Sequence, residues 1–130
     1  MAVAGPRDRG AMEENVPGDF KESDWKVLRQ LHPIALERFC RRVLDEVQQV
    51  IADPSRSGHE RYLAVYDLTR RRNRELADAF NDMRRSRAFV RLLNIQSHQL
   101  LNEEELGRFS PEVRESLRSW FAQTEETDEP

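Results

Sequence analysis

The chain has 130 residues, of which 38% are hydrophobic and 35% charged, with a formal net charge of −3 and a mean hydropathy of −0.82. These values exclude full disorder for the middle of the chain, because enough Leu, Val, Ile and Phe remain to form one modest core. A single cysteine, Cys40, excludes an internal disulfide, and no apolar run approaches the roughly 18 residues needed to span a bilayer. Since residues 1–20 also lack the apolar stretch of a signal peptide, we expect a cytoplasmic protein with no membrane contact.

Both ends of the chain differ in composition from its middle. Residues 1–19 hold three of the five glycines and two of the six prolines without apolar periodicity, which predicts a disordered leader. Residues 123–130 are acidic and carry no large apolar side chain, which predicts a disordered acidic tail. Between them, residues 20–122 show neither period-two alternation nor the turn dipeptides of β-hairpins, so we expect a single all-α domain.

Two amphipathic helices are predicted to form a long antiparallel hairpin. Pro33 is expected to separate a short helix over residues 24–31 from a longer one over residues 34–52, whose apolar residues recur at spacings of three and four. The Ser57–Glu60 segment matches a capping box, which opens a helix over residues 58–85, about 40 Å long. The loop between the two long helices is very short, so the fold should be a small helical bundle built on this hairpin.

Additional shorter helices are predicted to pack across the hairpin. Residues 86–101 carry a further apolar stripe, and whether they continue the preceding helix stays open. Asn102 begins a second capping pattern, which predicts a short helical turn over residues 103–108. Ser110 stands before a proline at the first helical position, so a final helix should cover residues 111–121.

No constellation for catalysis, metal binding or cofactor binding stands out. The three histidines, His32, His59 and His98, lie in different segments, and none has a second ligand one helical turn away. His98 falls opposite the apolar stripe of its helix and should be solvated, whereas Cys40 falls on such a stripe and should be a small buried side chain. The chain has no glycine-rich phosphate loop and no Glu-x-x-His pair. We therefore predict a non-enzymatic protein with no catalytic residue, metal or cofactor.

Basic charge is concentrated in residues 56–91, which carry ten basic and five acidic side chains, whereas residues 102–130 carry three basic and nine acidic ones. An arginine-rich stretch of this kind is one signature of nucleic-acid binding, because arginines neutralise phosphates. Helical spacing scatters these arginines around their axis, and acidic residues lie one turn away, which is more typical of a solvated helix. Nucleic-acid binding is therefore an alternative and not the leading hypothesis, with these candidates: Arg70, Arg71, Arg74, Arg84, Arg85 and Arg87.

Polar residues interrupt the apolar stripe of the long helix. Thr69 and Asn73 stand between Tyr66 and Phe80 on this stripe, and Arg72 stands beside them. A polar layer in a helix seam can fix register or partner choice in helix pairing, which predicts a self-associating interface. An equally favoured alternative is that this stretch extends past the end of the shorter partner helix, where polar residues simply face solvent.

The leading hypothesis is a small non-enzymatic module that forms a homodimer or binds a protein partner. A helix of about 40 Å has few partners in so short a chain and should expose apolar surface. The candidates for the interface or polar layer are Tyr66, Thr69, Arg72, Asn73 and Phe80. A ligand-binding or cofactor-binding helical sensor is a less favoured alternative, for which one polar pocket would have to bring together Tyr66, Arg72, Asn73 and His98.

Overall fold

The computed structural model describes residues 20–128, so the predicted leader over residues 1–19 lies outside the described residues. Helices account for most of this range, which contains no strand, and the all-α prediction is confirmed. The elements are α1 (Glu22–Ile51), α2 (Gly58–Phe80), a 3-10 turn (Arg85–Arg87), α3 (Ala88–Ser97), α4 (Glu103–Leu106) and α5 (Pro111–Asp128).

Helix α1 runs without interruption through Pro33, so the predicted division into helices over residues 24–31 and 34–52 is wrong. Proline in a helix interior removes one backbone hydrogen bond and crowds the preceding turn. Buried side chains of α1 lie on both sides of it, with Leu31 at 1% exposure before it and Ala35 fully buried after it. Tertiary packing of both halves against one core therefore outweighs the local preference for a break.

The predicted start of α2 is confirmed, and its predicted end is wrong. The Ser57 hydroxyl accepts a hydrogen bond from the Glu60 amide at 3.1 Å, and the Glu60 carboxylate accepts one from the Ser57 amide at 2.8 Å. The helix ends at Phe80, five residues before the predicted end at residue 85, because Asn81 is extended and Asp82 adopts the left-handed conformation with φ of 57°. This break also separates α2 from α3, so residues 86–101 do not continue the preceding helix.

Helices α4 and α5 begin where the sequence predicts, and α3 begins at Ala88, two residues after the predicted start. The second capping box is present, with the Asn102 side chain accepting from the Glu105 amide at 2.8 Å, and α5 begins at Pro111. Helix α3 ends at Ser97, four residues before the predicted end at residue 101. Helix α5 continues to Asp128, through most of the segment over residues 123–130 for which we expected a loose tail.

The core lies at one end of the hairpin. It is formed where the first half of α1 and the end of α2 meet α3, the loop that follows α3, and α5. The side chains at its centre, each exposed by 2% or less, include Phe20, Leu28, Leu31, Leu92, Ile95 and Leu100. We refer to this part of the molecule as the body.

The other end of the hairpin extends beyond the body. Among the described residues, none between Phe39 of α1 and Leu68 of α2 is buried. We call residues 40–67 the hairpin arm. The expectation that the hairpin exposes apolar surface is confirmed, because most of the large exposed apolar side chains of the described chain belong to this arm.

Candidate functional site

One side of the hairpin presents a continuous uncharged surface, which we call the arm face. Its members recur every three or four residues along each helix, so that each set shares one side of its helix. Four of them are large, apolar and exposed, namely Leu44 (60%), Ile51 (53%), Tyr62 (69%) and Tyr66 (58%). The arm face consists of Cys40, Leu44, Val47 and Ile51 from α1 and of Tyr62, Tyr66, Thr69 and Asn73 from α2.

A groove of about 260 Å³ lies at the end of the arm face nearest the body. Its lining is mostly apolar and comes from both helices: Phe39, Cys40, Val43 and Leu44 of α1 with Thr69, Arg72, Asn73 and Leu76 of α2. Three of the five predicted interface residues, Thr69, Arg72 and Asn73, therefore meet in one place. Tyr66 lies on the same side of α2, one helical turn before Thr69 and Asn73.

The two polar residues of the arm face, Thr69 and Asn73, differ in the hydrogen bonds that their side chains make. The Thr69 hydroxyl donates to backbone carbonyls of its own helix, at 2.9 Å from Val65 and 3.0 Å from Tyr66. The hydroxyl oxygen therefore keeps capacity to accept a hydrogen bond. The exposed Asn73 side chain makes no hydrogen bond to any other described residue, so its amide is open to a partner.

Arg72 bridges the two helices of the hairpin. Its guanidinium donates to both carboxylate oxygens of Glu46 on α1, at 2.9 and 3.0 Å, and to Glu75 one turn further along α2. The Arg72 hydrogen bond lowers the pKa of Glu46, and the same bond raises the pKa of Arg72. Two carboxylates of the same chain thus compensate the charge of Arg72 where it lines the groove.

Phe80 does not belong to an interaction surface, although the sequence placed it there. It is 5% exposed and packs against Phe39 of α1, with ring centroids 5.9 Å apart, and edge-on against His32 at 5.3 Å. The last turn of α2 enters the body, so the stripe that is exposed at Tyr66 becomes core at Phe80.

A second groove, also of about 260 Å³, lies on the opposite side of the hairpin. Its lining includes Arg42, Glu46, Arg72 and His98. His98 is half-buried and packs edge-on against Phe39 at 5.3 Å, so the expectation that it is solvated is wrong. The four residues proposed for a ligand sensor are not brought together, since Asn73 lines the other groove and Tyr66 lines neither.

Most of the arginines predicted for nucleic-acid binding have partners within the chain. Arg71 pairs with Asp67, Arg84 pairs with Asp82, and Arg85 donates to the Phe20 carbonyl and to Glu22. Arg70 lies over the ring of Tyr66 at 5.9 Å. Within the described part of the chain, Arg74 and Arg87 are exposed and make no side-chain hydrogen bond or ion pair.

Arginines that cap helix ends were missed by the sequence reasoning. Arg42 donates to the carbonyls of His98 and Gln99 just after α3, and Arg38 donates to that of Leu100 at 2.7 Å. Arg61 donates to the Ile51 carbonyl at the end of α1, and Arg91 to the Asp78 carbonyl near the end of α2. These carbonyls lie at helix ends or in the loop after α3, where helical hydrogen bonds do not satisfy them. All four arginines reach these carbonyls from a different helix, so no local sequence pattern predicts the contacts.

Residues 20–128 contain neither a candidate metal site nor a helix that could span a membrane. No group of three or more His, Cys, Asp or Glu side chains in this range is arranged to hold a metal ion. None of the described helices is long and apolar enough to cross a membrane. Cys40, expected to be buried, is half-buried beside the arm-face groove. Comparison of the chain with protein-family models, with curated proteins and with solved structures found no match.

Proposed function

We propose that this protein is a non-enzymatic helical interaction module that associates with a second copy of itself through the arm face. The observation that carries the proposal is the exposure of Leu44, Ile51, Tyr62 and Tyr66, each more than half exposed and all on one side of the hairpin.

The extent of the arm face supports an interaction surface. Twelve residues of each helix span about 18 Å, and two adjacent helices are about 20 Å wide, which gives a patch of roughly 360 Å². Patches of roughly 300–600 Å² are the largest found on typical monomers and are often functional. Tyrosine is also favoured at interfaces, because it combines a large apolar ring with a hydroxyl that finds a hydrogen-bond partner.

The charge distribution favours a second copy as the partner. In a two-fold dimer each surface meets its own copy, so any net charge on that surface opposes association. None of the eight arm-face residues is charged, in a chain of which 35% of residues are charged. The Arg70 guanidinium lies over the ring of Tyr66 at the border of this face, and the remaining exposed surface of α2 carries Asp67, Arg71 and Arg74.

Light scattering after size-exclusion chromatography, over a range of protein concentrations, tests the proposal. We expect the mass of a dimer for the wild-type protein and of a monomer for Leu44→Asp, because a buried, unpaired carboxylate at a two-fold interface is strongly unfavourable. Leu63→Asp is the matched control, since Leu63 is 48% exposed on the same arm but lies outside the arm face. This control should remain a dimer.

Three results would contradict the proposal: a wild-type monomer at every concentration, a dimeric L44D, or equal loss of the dimer in L44D and L63D. Absorbance at 260 nm recorded in the same run tests the nucleic-acid alternative. Excess absorbance that co-elutes with the protein and disappears at high salt would support that alternative instead.

A further inference from the structure

Building on the proposed self-association, we infer that the two arms pack antiparallel, so that Tyr62 and Tyr66 of one copy lie on Asn73 and Thr69 of the other. The inference comes from the order of polar and apolar residues along the two edges of the arm face.

The two helices of the arm are in a defined register. At the tip, the Arg61 guanidinium donates to the Ile51 carbonyl at 2.8 Å, which places Ile51 within about one helical turn of the level of Tyr62. At the other end, Cys40 and Leu44 line the same groove as Thr69 and Asn73. One edge of the arm face is therefore apolar along its whole length, from Cys40 to Ile51. The other edge changes from aromatic at the tip to polar near the body.

A two-fold axis in the plane of the interface allows two arrangements. If the axis runs along the arm, the tips lie together, and α1 of each copy faces α2 of the other. Leu44 would then face the partner's Thr69, and Cys40 would face the partner's Asn73. This arrangement removes the Asn73 amide from water without a hydrogen-bond partner, which is unfavourable.

If the axis runs across the arm, the tip of each copy lies against the base of the other. Helix α1 then faces α1, which places Leu44 on the partner's Val47 and Cys40 on the partner's Ile51. Helix α2 faces α2, which places Tyr62 on the partner's Asn73 and Tyr66 on the partner's Thr69. Apolar residues meet apolar residues along one edge.

In the antiparallel arrangement, polar groups of the other edge have hydrogen-bond partners. The Tyr62 hydroxyl can donate to the side-chain oxygen of the partner's Asn73. The Tyr66 hydroxyl can donate to the hydroxyl oxygen of the partner's Thr69, whose own hydrogen is used within its helix. The ring of Tyr62 from each copy reaches the groove of about 260 Å³ beside the partner's Asn73. The polar layer thus selects the antiparallel register, the use best attested for polar residues in helix pairing.

Disulfide cross-linking of Ile51→Cys tests the arrangement, because the native Cys40 supplies the second thiol. Positions 40 and 51 of one chain are about 17 Å apart along α1, too far for a disulfide within the chain. In the antiparallel dimer, residue 51 of each copy faces the partner's Cys40. We expect oxidation with diamide to convert most of the I51C protein to a covalent dimer on a non-reducing gel.

The matched control is the double variant Ile51→Cys, Cys40→Ala. Residue 51 of one copy is about 17 Å from residue 51 of the other in the antiparallel dimer, so the control should not cross-link. A wild-type dimer whose I51C variant fails to cross-link, or cross-links equally without Cys40, would overturn the antiparallel arrangement and leave self-association standing. A wild-type monomer in light scattering would overturn both. Circular dichroism confirms that the variants remain folded.

Discussion

At the scale of single residues, the most consequential side chain outside the arm is Glu105. It is 5% exposed, and both of its carboxylate oxygens accept hydrogen bonds from Arg38, at 2.7 and 2.8 Å. One of these oxygens also accepts from the Asn102 amide as part of the capping box. Arg38 donates in addition to the Leu100 carbonyl, so this group of residues ties the loop between α3 and α4 to the middle of α1.

We expect Glu105→Gln to destabilise the protein by about 1–3 kcal/mol at pH 7, the range for hydrogen bonds that involve a charged group. The Arg38 hydrogen bond lowers the pKa of Glu105 from its ordinary value of 4.5. As the pH falls, Glu105 is therefore protonated in the unfolded chain before it is protonated in the folded one. Its contribution to stability is complete above about pH 4.5 and is lost as the pH falls through the folded pKa. Urea denaturation at several pH values measures both effects.

In E105Q the loss of stability between pH 5 and pH 3 should be smaller than in the wild type. Glu104→Gln is the matched control. Glu104 pairs with Arg108 on the exposed side of the same short helix, and such pairs contribute little. An unchanged pH dependence in E105Q would show that protonation of other carboxylates causes the loss of stability at low pH.

At the scale of helices, the sequence predicts the starts better than the ends. Ser57 and Asn102 cap their helices through residues three positions away, so both starts are visible locally. The ends of α2 and α3 depend on Arg91 and Arg42, which reach them from other helices. The same limit explains Pro33, whose local preference is overridden by packing on both sides of it.

We expect Pro33→Ala to raise the free energy of unfolding by about 1–3 kcal/mol. Alanine supplies the missing amide hydrogen and has the highest helix propensity, whereas proline is the least favourable residue in a helix interior. Chemical denaturation measures the change in the free energy of unfolding. Gln30→Ala is the control at an exposed position one turn earlier in α1, and it should change that free energy by only a few tenths of the amount expected for P33A. An unchanged or lower stability in P33A would show that the backbone geometry imposed by proline is needed to place both halves of α1 in the core.

At the scale of the whole molecule, the hairpin divides into a part with core contacts and a part without them. The sequence reveals the amphipathic stripe and its polar interruption. Tyr66, Thr69 and Asn73 share one exposed side of α2, and their role in an interface stays a prediction. It does not reveal where the body ends, because this depends on which turns of α2 contact α3. Phe80 was misplaced for that reason. The arm-face residues of α1, Leu44 and Ile51, follow from the same apolar spacing but were not singled out as interface candidates.

Amide hydrogen exchange should report this division. In the monomeric L44D variant, we expect residues 44–51 and 60–67 to exchange faster than residues 24–39, since none of the former is buried. In the wild-type protein, dimer formation should slow exchange in the arm more than in the body. Mass spectrometry of peptides from both regions measures the difference. Uniform protection along α1 in L44D would show that the arm is stable without a partner.

The contact between the two ends of the domain has a consequence for biosynthesis. Asp24, near the start of α1, is 2% exposed, and its carboxylate accepts hydrogen bonds from the amide and hydroxyl of Ser110, at 2.7 and 2.8 Å. Ser110 is translated 86 residues later than Asp24, and α3 and α5, which share the core with Leu28 and Leu31, also follow the hairpin in the chain. Since chains emerge from the ribosome at about 5–20 residues per second, the nascent hairpin passes several seconds with both its core side and its arm face uncovered. Under the proposed self-association, we expect nascent chains on neighbouring ribosomes of one messenger RNA to pair through the arm before either body is complete.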